Sequence, residues 1–247
     1  MPILQNNNLL YDLAILIPFF NEEKRIIPGS FVRFAGENPN ILLVLINDGS
    51  NDKTPGILQS IQSQQPGNIQ IFNLPVNHGK GNAIRESFLT IKNSPIPFVG
   101  YIDGDLSTSF KSFLKLYDEI KEKKSDVVLG SRIKKIDTKI ERTLFRHLAG
   151  RIVATIVDTK FKIGCYDTQC GAKIFKKEVL GSVIGSPFFT RWLFDIEIIL
   201  RLQKINKAPV IAEIALDEWT HKKGSKISGM SVFIVLRELF TLFKKYD

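Results

Sequence analysis

The chain has 247 residues, 44% of them hydrophobic and 24% charged, a balance that excludes a disordered or low-complexity protein. Its formal net charge of +9 calls for an anionic partner, whether nucleic acid, an anionic membrane surface or a phosphorylated substrate. Two cysteines, Cys165 and Cys170, make neither a disulfide framework nor a zinc site, so both are expected as reduced thiols in a cytosolic setting.

The first ten residues lack a basic stretch followed by an apolar one, so no signal peptide is expected. Apolar runs at Leu13–Ile17, Ile41–Ile46, Ile69–Leu74, Pro97–Ile102 and Asp126–Leu129 predict strands. Between them, Asn21–Phe34, Asp52–Gln64, Gly79–Lys92 and Ser109–Lys121 carry helical signals. Asn21 and Asp52 are the expected N-caps, and Pro28 implies a first helix that is broken or starts late. Strand–helix alternation with continuous Leu/Ile/Val strands predicts an α/β sandwich around a mostly parallel sheet.

After about Gly130 the rhythm changes. Between Arg132 and Arg146 lie Lys134, Lys135, Lys139 and Arg142, against Asp137 and Glu141 alone. Helices are expected at Thr143–Asp158 and Thr190–Asn206, a strand at Val210–Ala215, a polar link over Asp217–Lys226 and an amphipathic segment over Met230–Tyr246. These divide the chain into a nucleotide-type half, 1–130, and an acceptor-type half, 131–247, sharing one sheet in one continuous domain. No apolar stretch reaches the roughly 18 to 20 residues that span a bilayer.

Ligands of open α/β sheets bind outside the carboxyl ends of the strands. Three such ends carry polar clusters here: Pro18-Phe-Phe-Asn-Glu22, Asn47-Asp-Gly-Ser50 and Asp103-Gly-Asp105. Asp103 and Asp105 end an apolar run, and two anions side by side call for a compensating cation. A divalent metal completed by substrate phosphates is the simplest. Asp48 and Glu22 are candidates to hold a base and ribose, and His78-Gly-Lys80-Gly-Asn82 adds backbone donors and a cation suited to phosphate. A P-loop spacing and a Gly-x-Gly-x-x-Gly fingerprint are both missing, which argues against a P-loop nucleotidase and a dinucleotide dehydrogenase. Nucleic-acid binding is the poorest fit, because neither zinc-finger spacing nor an aromatic RNA-binding signature accompanies the basic run.

Pro18-x-x-Asn21-Glu22, Asn47-Asp48-Gly49-Ser50, Gly79-Lys80-Gly81, Asp103-x-Asp105 and Gly130-Ser131-Arg132 occur in order at fitting intervals. Together they resemble family 2 of the inverting glycosyltransferases, which has the GT-A (Rossmann-like) fold. Asp167-Thr-Gln-Cys-Gly171, Arg191-Trp-Leu-Phe-Asp195-Ile-Glu197 and Gly224-Ser225-Lys226 resemble the branch of dolichyl-phosphate and polyprenyl-phosphate β-glucosyltransferases. The resemblance implies that Pro18, Phe20, Glu22 and Asp48 hold the nucleoside. Phe20 stands where relatives often have tyrosine, so stacking would survive without the hydroxyl. It further implies that Asp103 and Asp105 bind Mg2+ or Mn2+ and the nucleotide sugar, with Ser107 as a weaker third ligand. Arg132 and Arg146 would approach the acceptor or diphosphate.

Such an enzyme inverts the anomeric carbon in one in-line displacement. A lipid monophosphate acceptor is already anionic near neutrality and needs cations (Arg132, Arg146 and Lys226 are the candidates), whereas a hydroxyl acceptor needs a general base. Asp167 and Asp195 are candidate bases, or acids that orient those arginines and the sugar hydroxyls. The expected reaction is glucose transfer from UDP-glucose to a polyprenyl phosphate. Alternatives are another sugar donor, a saccharide hydroxyl acceptor, or a non-catalytic nucleotide-sugar-binding protein. Val232, Phe233, Leu236, Leu239, Phe240 and Phe243 recur at helical spacing, with Arg237, Lys244 and Lys245 beside them. This suits either a helix packed on the core or an interfacial helix on the cytoplasmic face of a membrane.

Overall fold

The computed structural model describes residues 11–134, 136, 138–141, 144–205, 209–220 and 230–246, with side-chain detail from 150 in one long helix and from 233 in the last. Among these, seven strands form one sheet in the order β3-β2-β1-β4-β7-β5-β8. They are β1 (Leu13–Phe19), β2 (Ile41–Asp48), β3 (Ile69–Leu74), β4 (Phe98–Tyr101), β5 (Val127–Ser131), β7 (Lys173–Lys176) and β8 (Ile211–Ala215). Every pairing is parallel except those of β7, which runs antiparallel between β4 and β5. A two-stranded ribbon joins β6 (Lys139–Glu141) to β9 (Glu218–Thr220). The α/β architecture with a mostly parallel sheet is therefore as the sequence leads one to expect.

Burial on both faces explains why the central strands are continuously apolar. Leu13, Ile15 and Ile17 of β1 pack toward α1 (Pro28–Glu37), α2 (Thr54–Gln64) and α4 (Phe110–Glu122). Ala14 and Leu16 face the other way, toward α3 (Lys80–Ile91), α6 (Lys177–Ile184) and α7 (Phe194–Gln203). A third cluster joins Val157 of α5 (Leu144–Phe161) and Ile196 of α7 to Leu239 and Leu242 of α8 (Met230–Tyr246).

Several boundaries differ from the sequence expectation, each for a local reason. The first helix starts late, at Pro28, as that proline implies, but Asn21 is not its N-cap: its backbone is left-handed (φ 51°) in a turn after β1. Lys53 holds the N-cap position of α2, while Asp52 accepts from the Thr54 N–H at 2.9 Å. α7 begins at Phe194, and the N–H groups of 189–193 before it are bonded to the carboxylates of Glu197 and Glu238. β7 was hidden because lysines bracket its apolar pair, Ile174 and Phe175.

Candidate active site at the carboxyl edge of the sheet

Left-handed residues follow each of the first four strands: Asn21 (φ 51°), Gly49 (φ 68°), Gly79 (φ 83°) and Leu106 (φ 51°). The chain thus turns sharply at the carboxyl edge and folds its polar loops over it. Leucine rarely adopts this conformation, so the Asp103–Ser107 turn holds local strain. The turn is held by the Leu106 N–H, which donates to the Asp103 carbonyl at 3.0 Å.

The loops after β1 and β2 are stitched together. Asn21 donates its N–H to Ser50 Oγ (3.1 Å) and accepts at Oδ1 from the Asn51 N–H (2.9 Å). The Glu22 N–H donates to Thr54 Oγ1 at 2.8 Å, and the Glu23 N–H to Asp52 Oδ2 at 3.2 Å. Glu22 also pairs with Arg25 Nη1 at 3.1 Å. Pro18 and Phe20 flank the end of β1, both partly buried.

Asp48, at the end of β2, is 2% exposed. Its carboxylate accepts from the His78 N–H (2.7 Å), the Gly79 N–H (3.0 Å) and Asn77 Nδ2 (2.8 Å). Burial pushes this carboxyl above its ordinary range, against the pull of the His78 and Gly79 N–H groups and the nearby positive charge of Arg191. Asp48 therefore sets the shape of the 77–79 loop. Gly79 is required there, since its backbone is left-handed and an added Cβ would sit 2.8 Å from Arg191 Nε.

Asp103 and Asp105 emerge just past β4. Lys80 Nζ lies 2.6 Å from Asp103 Oδ1, and the opposing carboxylate outweighs burial to raise the lysine's pKa. Arg25 Nη2 pairs with Asp105 Oδ2, so one guanidinium bridges Asp105 and Glu22. Asp105 Oδ1 accepts from the Ser107 N–H at 2.9 Å, so it is the backbone of Ser107 that meets this carboxylate. Asp103 lies so close to Gly171 that a Cβ there would be 1.9 Å from Oδ2. No group of three or more His, Cys, Asp or Glu converges among the described residues to cage a metal. The donor set suits Mg2+ or Mn2+ held by one or two carboxylates and completed by substrate phosphates. Such an ion would compete with Lys80 and Arg25 for the two aspartates.

Arg132, just after β5, is gripped by Asp167. Nε and Nη2 donate to Oδ2 (2.6 Å) and Oδ1 (2.8 Å), and the Arg132 N–H adds a bond of 3.1 Å. Its guanidinium lies 5.4 Å from the Trp219 ring centre, and the Asp167 contact raises its pKa despite burial. Asp195, at the start of α7, is 4% exposed and accepts from Tyr101 Oη (2.6 Å) and Lys173 Nζ (2.7 Å). Lys173 is fully buried and also donates to the Cys170 carbonyl at 2.5 Å. Each candidate base is thus committed to a cation. The cysteines are free thiols, and burial pushes both up to about 11.

The structure brings Glu22, Asp48, Lys80, Asp103, Asp105 and Ser107 to one edge, with Arg132 and Asp167 at the end of β5. Lys226 and the side chain of Arg146 lie outside the described residues. Arg25, Asn77, Arg191, Tyr101 and Lys173 join the site although sequence reading assigned them no role. Arg191 carries a signal in the sequence, since it opens the Arg191-Trp-Leu-Phe-Asp195-Ile-Glu197 motif.

Residues 14–183 match the model of glycosyl transferase family 2, so the chain belongs to that family of enzymes, and its sheet and helices form a GT-A-like fold. Within it, the chain is similar to the dolichyl-phosphate β-glucosyltransferases. It is 30% identical over 233 residues to the Dictyostelium discoideum protein, covering 89% of this chain and 69% of the relative. A Trichomonas vaginalis protein of the same description is 32% identical (88% of this chain, 67% of the relative), and the human one 29% identical (87% and 69%). The fold also matches glucosyl-3-phosphoglycerate synthase of Mycobacterium tuberculosis, solved with Mn2+, UDP-glucose and phosphoglyceric acid. That match has a TM-score of 0.71 and 17% identity, over 95% of this chain and 79% of the other.

Proposed function

We propose that the chain transfers glucose from UDP-glucose to a polyprenyl or dolichyl-type phosphate, releasing UDP and leaving a β-linked lipid-phosphate glucose. The observation that carries this reading is the commitment of both candidate bases. Asp167 holds Arg132 bidentately, and Asp195 is held by Lys173 and Tyr101. A site with its carboxylates so engaged suits an acceptor with no proton to lose, and a phosphate monoester has a second pKa of about 6. The similarity to dolichyl-phosphate β-glucosyltransferases supports the same acceptor and sugar.

In this reading residues 1–130 form the donor half. Glu22, Asp48, Pro18 and Phe20 line the nucleoside side, and Lys80 supplies positive charge beside the diphosphate. An oxygen of the acceptor phosphate attacks the anomeric carbon as its bond to the UDP oxygen breaks, and the bonding pair leaves with UDP. Mg2+ or Mn2+ at Asp103 and Asp105, with Ser107 beside them, would supply Lewis-acid stabilisation of the departing diphosphate. Residues 131–247 form the acceptor half, where Arg132 holds the acceptor phosphate against the like-charged donor, with Arg146 and Lys226 as further candidate cations.

A lipid acceptor also accounts for α8. Leu239 and Leu242 pack inward, while Phe233 (76% exposed), Leu236 (55%) and Phe240 (70%) form an apolar stripe on the opposite side. Exposed Arg237 and Lys244 border it. None of the described helices is long and apolar enough to cross a membrane. In this reading α8 lies in the interface of an anionic membrane, on its cytoplasmic side.

The test compares polyprenyl phosphate with the corresponding polyprenol as acceptors between pH 6 and 9. Product is expected from the phosphate alone, with a rate that is level above about pH 7 and falls to roughly half by pH 6, where the acceptor phosphate, with its second pKa of about 6, takes up a proton. Equal transfer to the alcohol would replace this reading with that of a hydroxyl-directed transferase.

A further inference from the structure

Five consecutive backbone N–H groups, from Phe189 to Leu193, donate to two carboxylates that arrive from different helices. Glu197 of α7 takes Phe189 (3.0 Å) and Thr190 (3.1 Å). Glu238 of α8 takes Arg191 (2.9 Å), Trp192 (3.0 Å) and Leu193 (3.0 Å). Both acids are buried, Glu197 at 0% and Glu238 at 5% exposure. Glu197 is completed by Thr190 Oγ1, Arg201 Nη2 and Tyr246 Oη at 2.9, 2.8 and 3.0 Å. Buried carboxylates satisfied in this way fix a loop in one conformation.

This loop carries one cation across to the donor loop. Arg191 is exposed, and its Nη2 donates to Asn77 Oδ1 at 2.5 Å. Its guanidinium lies against Gly79, next to Lys80 and beside the N–H groups that Asp48 holds. The partner, Asn77, is a neutral amide, and among the described residues no carboxylate pairs with Arg191. Asp103, Asp105 and Asp167, by contrast, each already hold a cation. A guanidinium fixed in place by a neutral amide, near the buried Asp48 carboxylate but not hydrogen-bonded to it, keeps N–H groups to offer to phosphate oxygens beside the 77–79 loop.

We propose that Arg191 is a phosphate-binding residue of this site, and that Glu238 is the positioning residue that holds it there from α8. The assignment rests on the donor reading above. The phosphate belongs either to the nucleoside diphosphate or to the lipid acceptor, and Arg191 lies nearer the donor loop.

The test is calorimetric binding of UDP and of uridine to the full chain with Mg2+, for wild type, Arg191→Ala, Arg191→Lys and Glu238→Gln. Thermal unfolding verifies that each variant is folded. Arg191→Ala should weaken UDP binding about 10- to 100-fold and leave uridine within about twofold. Arg191→Lys should recover part of the loss. Glu238→Gln should lower UDP affinity less than Arg191→Ala does, and the double variant should be no worse than Arg191→Ala alone. Unchanged UDP affinity with a tenfold higher KM for polyprenyl phosphate would also support the proposal and identify the acceptor as the source. If Arg191→Ala changes neither, or weakens uridine as much as UDP, the assignment fails while the donor reading stands. A wild-type chain that binds no UDP would overturn both.

Discussion

The donor edge and the α5–α7–α8 flank are built by different physics. At the donor edge each polar residue sits within a few positions of a strand end, and its partners come from neighbouring turns: Asn21 with Ser50, Glu22 with Thr54, Asp48 with His78 and Gly79. On the flank, order comes from buried carboxylates that each hold several backbone N–H groups, as Glu238 does for 191–193. Substitutions at the edge should remove chemistry and leave the fold. Those on the flank should cost stability or placement first. Arg132 and Asp167 stand between the two, being both a buried pair and a part of the proposed site.

The largest expected effect is therefore at that pair. Asp167→Ala leaves a mostly buried guanidinium without its carboxylate, and should destabilise the fold by about 3–5 kcal/mol in denaturant titration. Replacing both partners, Arg132→Met with Asp167→Leu, should recover most of that stability and still abolish lipid-phosphate glycosylation. If the double variant regained activity along with stability, the pair would belong to the scaffold alone.

A smaller effect is expected on the outer face of α8. Phe233→Ser with Leu236→Ser and Phe240→Ser should reduce cosedimentation with anionic vesicles at least tenfold, since three large side chains lose about 1.5–3 kcal/mol each of full apolar transfer. Thermal stability should hold, because Leu239 and Leu242 supply the packing. Unaltered vesicle binding would move the membrane contact elsewhere on the surface.

The smallest effect concerns the thiols. With Cys165 and Cys170 raised to about 11, alkylation of the folded protein at pH 8 should be slow and should climb with pH until about 11. Ordinary thiol reactivity at pH 8 would show that the 165–170 segment opens in solution.

The same contrast explains what was legible in the sequence. Continuous Leu/Ile/Val runs bounded by turns mark five strands of the large sheet and Val210–Ala215 a sixth, and carboxylates stand just past the ends of three of them. Lys173 pointed away from a buried strand, because its acceptors, Asp195 and the Cys170 carbonyl, converge on it only after folding. α7 starts four residues later than the periodicity predicts, and periodicity does not reveal that Glu238, from a separate helix, holds the N–H groups of 191–193. Arg25 resembled an ordinary surface cation, and only the fold sets it between Glu22 and Asp105.

The central claim is that the Asp103/Asp105 edge carries out glucosyl transfer to a lipid phosphate. The most direct measurement is incorporation of radiolabelled glucose from UDP-glucose, with Mg2+ or Mn2+, into organic-extractable polyprenyl phosphate, with Asp105→Ala in parallel. The account predicts label in the lipid phase that depends on the metal and falls at least a hundredfold in the variant. Metal-dependent release of UDP with no label in the lipid, or transfer undiminished by Asp105→Ala, would contradict it.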